Sequence, residues 1–304
     1  MEQQAIIERK ALLVGATIYL ILGVFGWYTF YRSNSEAMLL DGNYNIVNAL
    51  ASFIGYYVVR IRSRKTETFP WGQFIYESLY ALIKGILILG ILTAALWENS
   101  VKIYDYFVKG KIHEVDTSPI VSMVILSVIL SFGLAFYYKN SNKKTGYSST
   151  MLTTDTKAAL IDGYLSFFGG GSLLLMVYLG KSFPELTFLQ YIGDSLVVLI
   201  FEAVMIKEPL HIIKHNFVEL AGGQLQSDNE WGYIHDTVQE IPHESFGIKN
   251  IYITKTGSLI LVLVYITVTD HYFQADETKV FKHQAETILK KSYQNTSVEI
   301  ILDG

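Results

Sequence analysis

The chain has 304 residues, enough for one large domain or two ordinary ones. Of these, 51% are hydrophobic and only 17% charged, with a mean hydropathy of +0.30, which excludes a disordered or fibrous chain and is too apolar for a soluble enzyme of this size. A formal charge of -4 with no basic stripe argues against nucleic acid as a partner, and the absence of cysteine removes every thiolate, so that oxygen or imidazole is expected to hold any metal.

Crossing a bilayer core about 30 Å thick takes a helix of about 20 mostly apolar residues. Six runs qualify: residues 11–31, 35–59, 75–97, 120–138, 153–179 and 189–206. The apolar part of the first is longer than a signal peptide's, and no small-residue cleavage site follows it, so it counts as a span. Positive residues are retained on the cytoplasmic side. One set of flanks holds Arg9, Lys10, Arg60, Arg62, Arg64, Lys65, Lys139, Lys143, Lys144, Lys207 and Lys214; the other holds Arg32, Lys102, Lys109, Lys111 and Lys181. Both termini are therefore expected in the cytoplasm. Trp27, Tyr28 and Tyr31 mark one interface, and Phe69, Trp71, Tyr137 and Tyr138 the other.

From residue 208 charges and histidines return, and the remaining stretch is long enough for a small domain. The pattern predicts a helix at 229–241, strands at 248–256 and 258–269, a helix at 276–294 and a strand at 297–302, in the order αββαβ. Gly257 supplies the tight turn between the first two strands. Both alternating sets of the second strand are apolar, Leu259, Leu261, Leu263 and Ile260, Val262, Val264. One face is expected on the helices and the other on a second subunit.

Ionisable residues in hydrocarbon cost on the order of 3 kcal/mol each, so every one is a functional candidate. The clearest are Asp41 in the second run and Asp162 in the fifth, with Asp194 and Glu202 in the sixth and Glu77 at the start of the third. Asp41 and Asn45 share a helix face, as do Asp162 and Ser166, so each helix presents a two-oxygen clip. At about 1.5 Å of rise per residue, Asp41 and Asn45 lie roughly 21 and 15 Å above the cytoplasmic boundary, and Asp162 and Ser166 roughly 14 and 20 Å. If these antiparallel helices pack together, the four donors form one cluster near mid-membrane. Gly42 and Gly163 beside the aspartates, and residues 169–171, would permit close approach.

Six spans, acidic clips in the second and fifth, cytoplasmic termini and an αββαβ tail together resemble the cation diffusion facilitator family. Phe69-Pro70-Trp71-Gly72 followed by Glu77-Ser78-Leu79, and Asp194 in the sixth span, are similar to family text. The resemblance implies an α-helical membrane protein with a six-helix transmembrane domain (1–207) and a small ferredoxin-like, metallochaperone-like α+β cytoplasmic domain (208–304). It further implies a homodimer, joined through the tail, that exports a divalent metal from the cell by exchange with protons, in the cell (inner) membrane and in contact with its lipid. The metal ligands would be Asp41, Asn45, Asp162 and Ser166, with no catalytic residue and no resident cofactor. The family's zinc transporters carry a second acid or a histidine in each clip, whereas here Asn45 and Ser166 are neutral. An all-oxygen set points to a manganese-like or iron-like ion rather than zinc. Lys249, Tyr265 and Leu302 stand where tails of the family carry metal-binding histidines, so no such site is expected there.

Other readings are a metal clip of His211 and His215, a non-transporting sensor or scaffold, and an intramembrane aspartyl protease using Asp194 and Asp105. His113, His235, His243, His271 and His283 are dispersed and signal nothing specific.

Overall fold

The computed structural model describes residues 2–112, 114–144, 150–268 and 275–303, and within these the side chains of all but residues 2–5, 150, 151, 153, 154, 157, 161, 165 and 275. His113 and His271 lie outside the described residues. Two compact units form: Met1–Arg60 with Ile83–His211, and Ile61–Leu82 with Ile212–Gly304. A linear division at residue 207 assigns 61–82 to the membrane part, whereas by contact this segment groups with the tail.

The first unit is helical. Its elements are α1 (Glu2–Ser33), α2 (Glu36–Ile61), α3 (Ile75–Lys109), α4 (Ser118–Lys144), α5 (Thr150–Ser182) and α6 (Leu189–Met205); α2 and α3 each extend into the second unit, and α7 (Lys207–Leu220) follows. Among the described residues, four stretches are long and apolar enough to cross a membrane: Ile6–Ser33, Ile75–Lys109, Ser118–Lys144 and Ala158–Ser182. The other two expected spans fall short on composition or length. Asp41, Asn43, Asn45 and Asn48 dilute the hydropathy of α2, and α6 has 17 residues, about 25 Å of rise against a core of about 30 Å.

Large apolar side chains cover the exterior of this unit, among them Leu20, Ile21 and Val24 on α1, Ile86 and Leu87 on α3, and Phe167 and Phe168 on α5. In water such a surface would aggregate; in lipid it is at home. Three apolar clusters hold the interior. One joins α1, α2, α4 and α5 around Ala11, Ala49, Leu134 and Ala159. A second joins α2, α4, α5 and α6 around Met38, Met123, Leu173 and Val197, and a third joins α2, α3 and α6 through Leu40, Ile88, Leu92 and Val198. Gly42 is essential to this packing: a Cβ there would fall 2.8 Å from the Trp27 ring and 3.1 Å from its backbone nitrogen, so glycine lets α1 and α2 touch beside Asp41.

The second unit folds as expected from the pattern: α8 (Asp228–Gln239), β1 (Phe246–Thr256), β2 (Leu259–Val268), α9 (Ala275–Ser292) and β3 (Thr296–Leu302). The sheet runs β1-β2-β3, antiparallel between the first pair and parallel between the second, with α9 making the crossover. Ile260, Val262, Val264 and Ile266 of β2 are buried in one core with Ile234, Val238, Phe281 and Leu289 from the helices. A bulge at Lys249 shifts the register of β1, so that Phe246 before it and Ile251 and Ile253 after it all reach that core despite breaking strict alternation. In the first turn of α9, Glu277 accepts the backbone N–H groups of Glu244 and Ser245, which hold its carboxyl below the usual carboxylate range.

Leu259 and Leu261, on the other face of β2, meet Phe69, Pro70 and Trp71 of the 61–82 segment across a shallow hollow, so part of that face is taken up by the chain itself. The turn between β1 and β2 is clamped at the same place. Glu77 Oε2 accepts the N–H of Ser258 at 2.5 Å and its Oε1 accepts Arg62 at 2.8 Å. Glu219 Oε2 accepts both the Ser78 hydroxyl at 2.6 Å and the N–H of Gly257 at 3.0 Å. Gly257 has φ of +59°, and a Cβ would fall 2.5 Å from Glu77 Oε2 and 2.6 Å from the Phe74 carbonyl. Gly257→Val should therefore destabilise the second unit by about 2 kcal/mol or more, from left-handed strain and steric clash together. Differential scanning calorimetry of the full chain checks this; an unchanged melting profile would contradict the clamp.

Candidate metal site

Asp41 reaches the interior from α2, whose first turn carries Glu36 and whose last carries Arg60, charges that complement the helix dipole at each end. Asp162 comes from α5, and α4 supports it: Ser131 donates its hydroxyl to Asp162 Oδ2 at 2.5 Å. Asp41, Asp162 and Ser166 line one hollow of about 70 Å³ within the first unit, together with Ser127 of α4 and residues of α6. Two carboxylates from different helices thus border a single space, and no lysine, arginine or histidine lines it among the described residues. Asp162 is 5% exposed and Asp41 half-buried, opening on the hollow.

Asn45 takes a different position from the one its spacing suggested. It is fully buried and does not line the hollow; its amide donates to the Asp41 carbonyl at 2.9 Å and to the Asp41 carboxylate at 3.2 Å. Asn45 therefore orients Asp41, and its own Oδ1 has no hydrogen-bond partner among the described residues. The Ser127 and Ser166 hydroxyls are likewise without partners. Buried polar atoms normally find one, so a hollow edged by two carboxylates and two unsatisfied hydroxyls has the donor set of a cation site. No group of three or more histidine, aspartate or glutamate side chains is clustered for a metal among the described residues, so water or the neutral oxygens would complete any coordination.

Ser127 and Ser131 were not foreseen. They lie one helical turn apart on the buried stripe of α4 with Met123, Leu134 and Tyr138, and that periodicity was the available signal.

Most of the remaining candidates are occupied elsewhere. Asp194 accepts the Ser35 hydroxyl at 2.7 Å and the N–H groups of Glu36 at 2.5 Å and Ala37 at 3.3 Å, capping α2 from across the bundle. Asp105 is paired with Lys109 and Lys111 at 2.6 and 2.8 Å. Each of these two aspartates is thus committed to other donors, and neither lines the hollow. Glu202 is buried on α6 with neither oxygen hydrogen-bonded among the described residues. His215 pairs with Glu219 at 3.1 Å, His235 stacks on Trp231 and His243 stacks on Phe246. In the tail Lys249 pairs with Asp303, Tyr265 packs edge-on to Tyr252, and Leu302 is exposed.

The family model for the cation efflux transmembrane domain matches residues 12–221, more than half of the chain. The chain belongs to the cation efflux family. Members of the family are transmembrane transporters of metal cations, and Asp41, Asp162, Ser127 and Ser166 all fall inside the matched range. Comparison with curated proteins gives no match. Every residue that lines the hollow lies within the range matched by the cation efflux family model.

Proposed function

We propose that this protein exports a divalent metal cation in exchange for protons, by alternating access to one site built on Asp41 and Asp162. The observation that carries the reading is the shared hollow, where two acids meet without a basic side chain among the described residues. One divalent cation would neutralise both carboxylates; without it, two such groups in low dielectric cannot both stay ionised, so metal release and proton uptake become one competition. Ser166 supplies a neutral oxygen, and Asn45 supplies either a further oxygen on rearrangement or the orientation of Asp41. This oxygen-rich set favours manganese-like or iron-like ions over zinc.

Six spans, rather than four, agree with the apolar faces that α2 and α6 also present: Leu50, Phe53 and Ile54 on one, Ile200 and Val204 on the other. The lysine and arginine bias supports cytoplasmic termini, in the cell (inner) membrane. A homodimer joined through the tail agrees with the outer face of the sheet, where Tyr252 remains exposed.

The test is metal-driven proton release from proteoliposomes holding the full chain. Metal flux accompanied by a stoichiometric proton signal is the expected result. Metal flux without protons would refute the exchange, and no flux for any cation would refute transport and favour a sensor or scaffold.

A further inference from the structure

The sequence contains six methionines, and three of them, Met38, Met123 and Met205, line the hollow that holds Asp41 and Asp162. They come from three helices, α2, α4 and α6, while α5 contributes the second carboxylate. Met38 lies one helical turn before Asp41, and Met123 one turn before Ser127, so each shares a face with an oxygen donor of the site. Met38 and Met123 are buried at 6% and 1% exposure. Methionine also serves as a flexible filler of apolar gaps. Met38 and Met123 do pack in the apolar cluster of α2, α4, α5 and α6; what packing leaves unexplained is that three thioethers from three helices border one open space that also holds two carboxylates and two unsatisfied hydroxyls.

We infer that Met38, Met123 and Met205 set the ion preference of this site, adding soft sulfur donors to the carboxylates so that an iron(II)-like cation is taken over manganese, magnesium and calcium. The inference rests on the transport reading given above. A thioether is uncharged and polarizable. It offers little to magnesium or calcium, hard cations that take oxygen ligands. To a borderline transition ion it offers a real bond, and iron(II) also binds mixed donors more tightly than manganese(II) does. The carboxylates supply the charge and hold any divalent ion; the sulfurs discriminate.

The test is competitive uptake of iron(II) under reducing conditions, cadmium(II), manganese(II) and magnesium(II) into proteoliposomes holding the full chain. The parent, each single Met→Leu variant and the triple variant are compared, leucine keeping the volume and removing the sulfur. The expected result is a parent that prefers iron and cadmium to manganese by at least about tenfold, with most of that ratio lost in the triple variant and part of it in each single one. Met176→Leu, on α5 outside the hollow, should leave the ratio unchanged. The chemical shift of bound cadmium-113, which moves downfield on sulfur ligation, provides a readout in the parent that needs no variant to fold. Unchanged ratios in the Met→Leu variants, or a shift typical of oxygen ligands alone, would overturn the inference while leaving transport standing. Absence of flux for every cation would instead remove the transport reading, and the inference with it.

Discussion

Replacing either Asp41 or Asp162 by alanine is expected to lower metal flux at least about a hundredfold, because each removes half of the negative charge that holds the ion. Breaking a buried charge pair by deleting one partner costs about 3 to 5 kcal/mol, which corresponds to two or more orders of magnitude in affinity. The effect on folding should run the other way. In the metal-free protein each carboxylate is a burdensome group in low dielectric, so the alanine variants should melt no lower than the parent. Asp162→Ala also frees the Ser131 hydroxyl, a smaller loss of about 1 kcal/mol. Flux and thermal melting measured on the same preparations separate the two effects. A variant that transports normally moves the site elsewhere in the molecule, with buried Glu202 the next place to look.

The second large effect is expected at a residue that does not border the hollow. Asp194→Ala would strip the start of α2 of three hydrogen bonds, leaving the Ser35 hydroxyl and the N–H groups of Glu36 and Ala37 buried without an acceptor. Loss of a cap costs about 0.5 to 2 kcal/mol, and unsatisfied buried donors about 1 to 3 kcal/mol. Asp41 lies less than two turns along the same helix, so loosening its start also loosens the site. Asp194→Ala should lower the melting midpoint and reduce flux about tenfold, whereas Asp194→Asn, which keeps one acceptor oxygen, should fall between it and the parent. Hydrogen exchange at the first turn of α2 would report the change directly. Equal protection in the parent and the alanine variant would show that the cap is dispensable.

The membrane helices and the αββαβ tail were legible because their signals are periodic and long: apolar runs for the helices, alternation and Gly257 for the hairpin. That Asp41 and Asp162 border one space was legible from matched spacing and depth. The role of Asn45 was not. Its place one turn after Asp41 is equally compatible with facing the ion and with holding the aspartate, and only the side-chain rotamer distinguishes them. The bulge at Lys249 was invisible for a similar reason, since a one-residue insertion leaves the composition of the strand unaltered while reversing which side chains face inward. The serines and methionines of the hollow carry no charge, and uncharged donors in a long apolar helix resemble ordinary filling until neighbouring helices are placed around them.

The clamp on the β1–β2 turn bears on how the protein can be divided for study. Residues 61–82 precede most of the membrane helices in the chain, yet they share a unit with a tail that begins some 130 residues later. A gene shortened after codon 207 would produce a protein whose Glu77 and Ser78 have lost Ser258, Gly257 and Glu219 together. The complementary fragment, starting at residue 208, would bare Leu259 and Leu261 to water where Phe69, Pro70 and Trp71 had sheltered them, and should self-associate. Each piece lacks contacts made in the whole chain, and restoring residues 61–82 to the tail fragment, by fusion or circular permutation, should suppress that self-association.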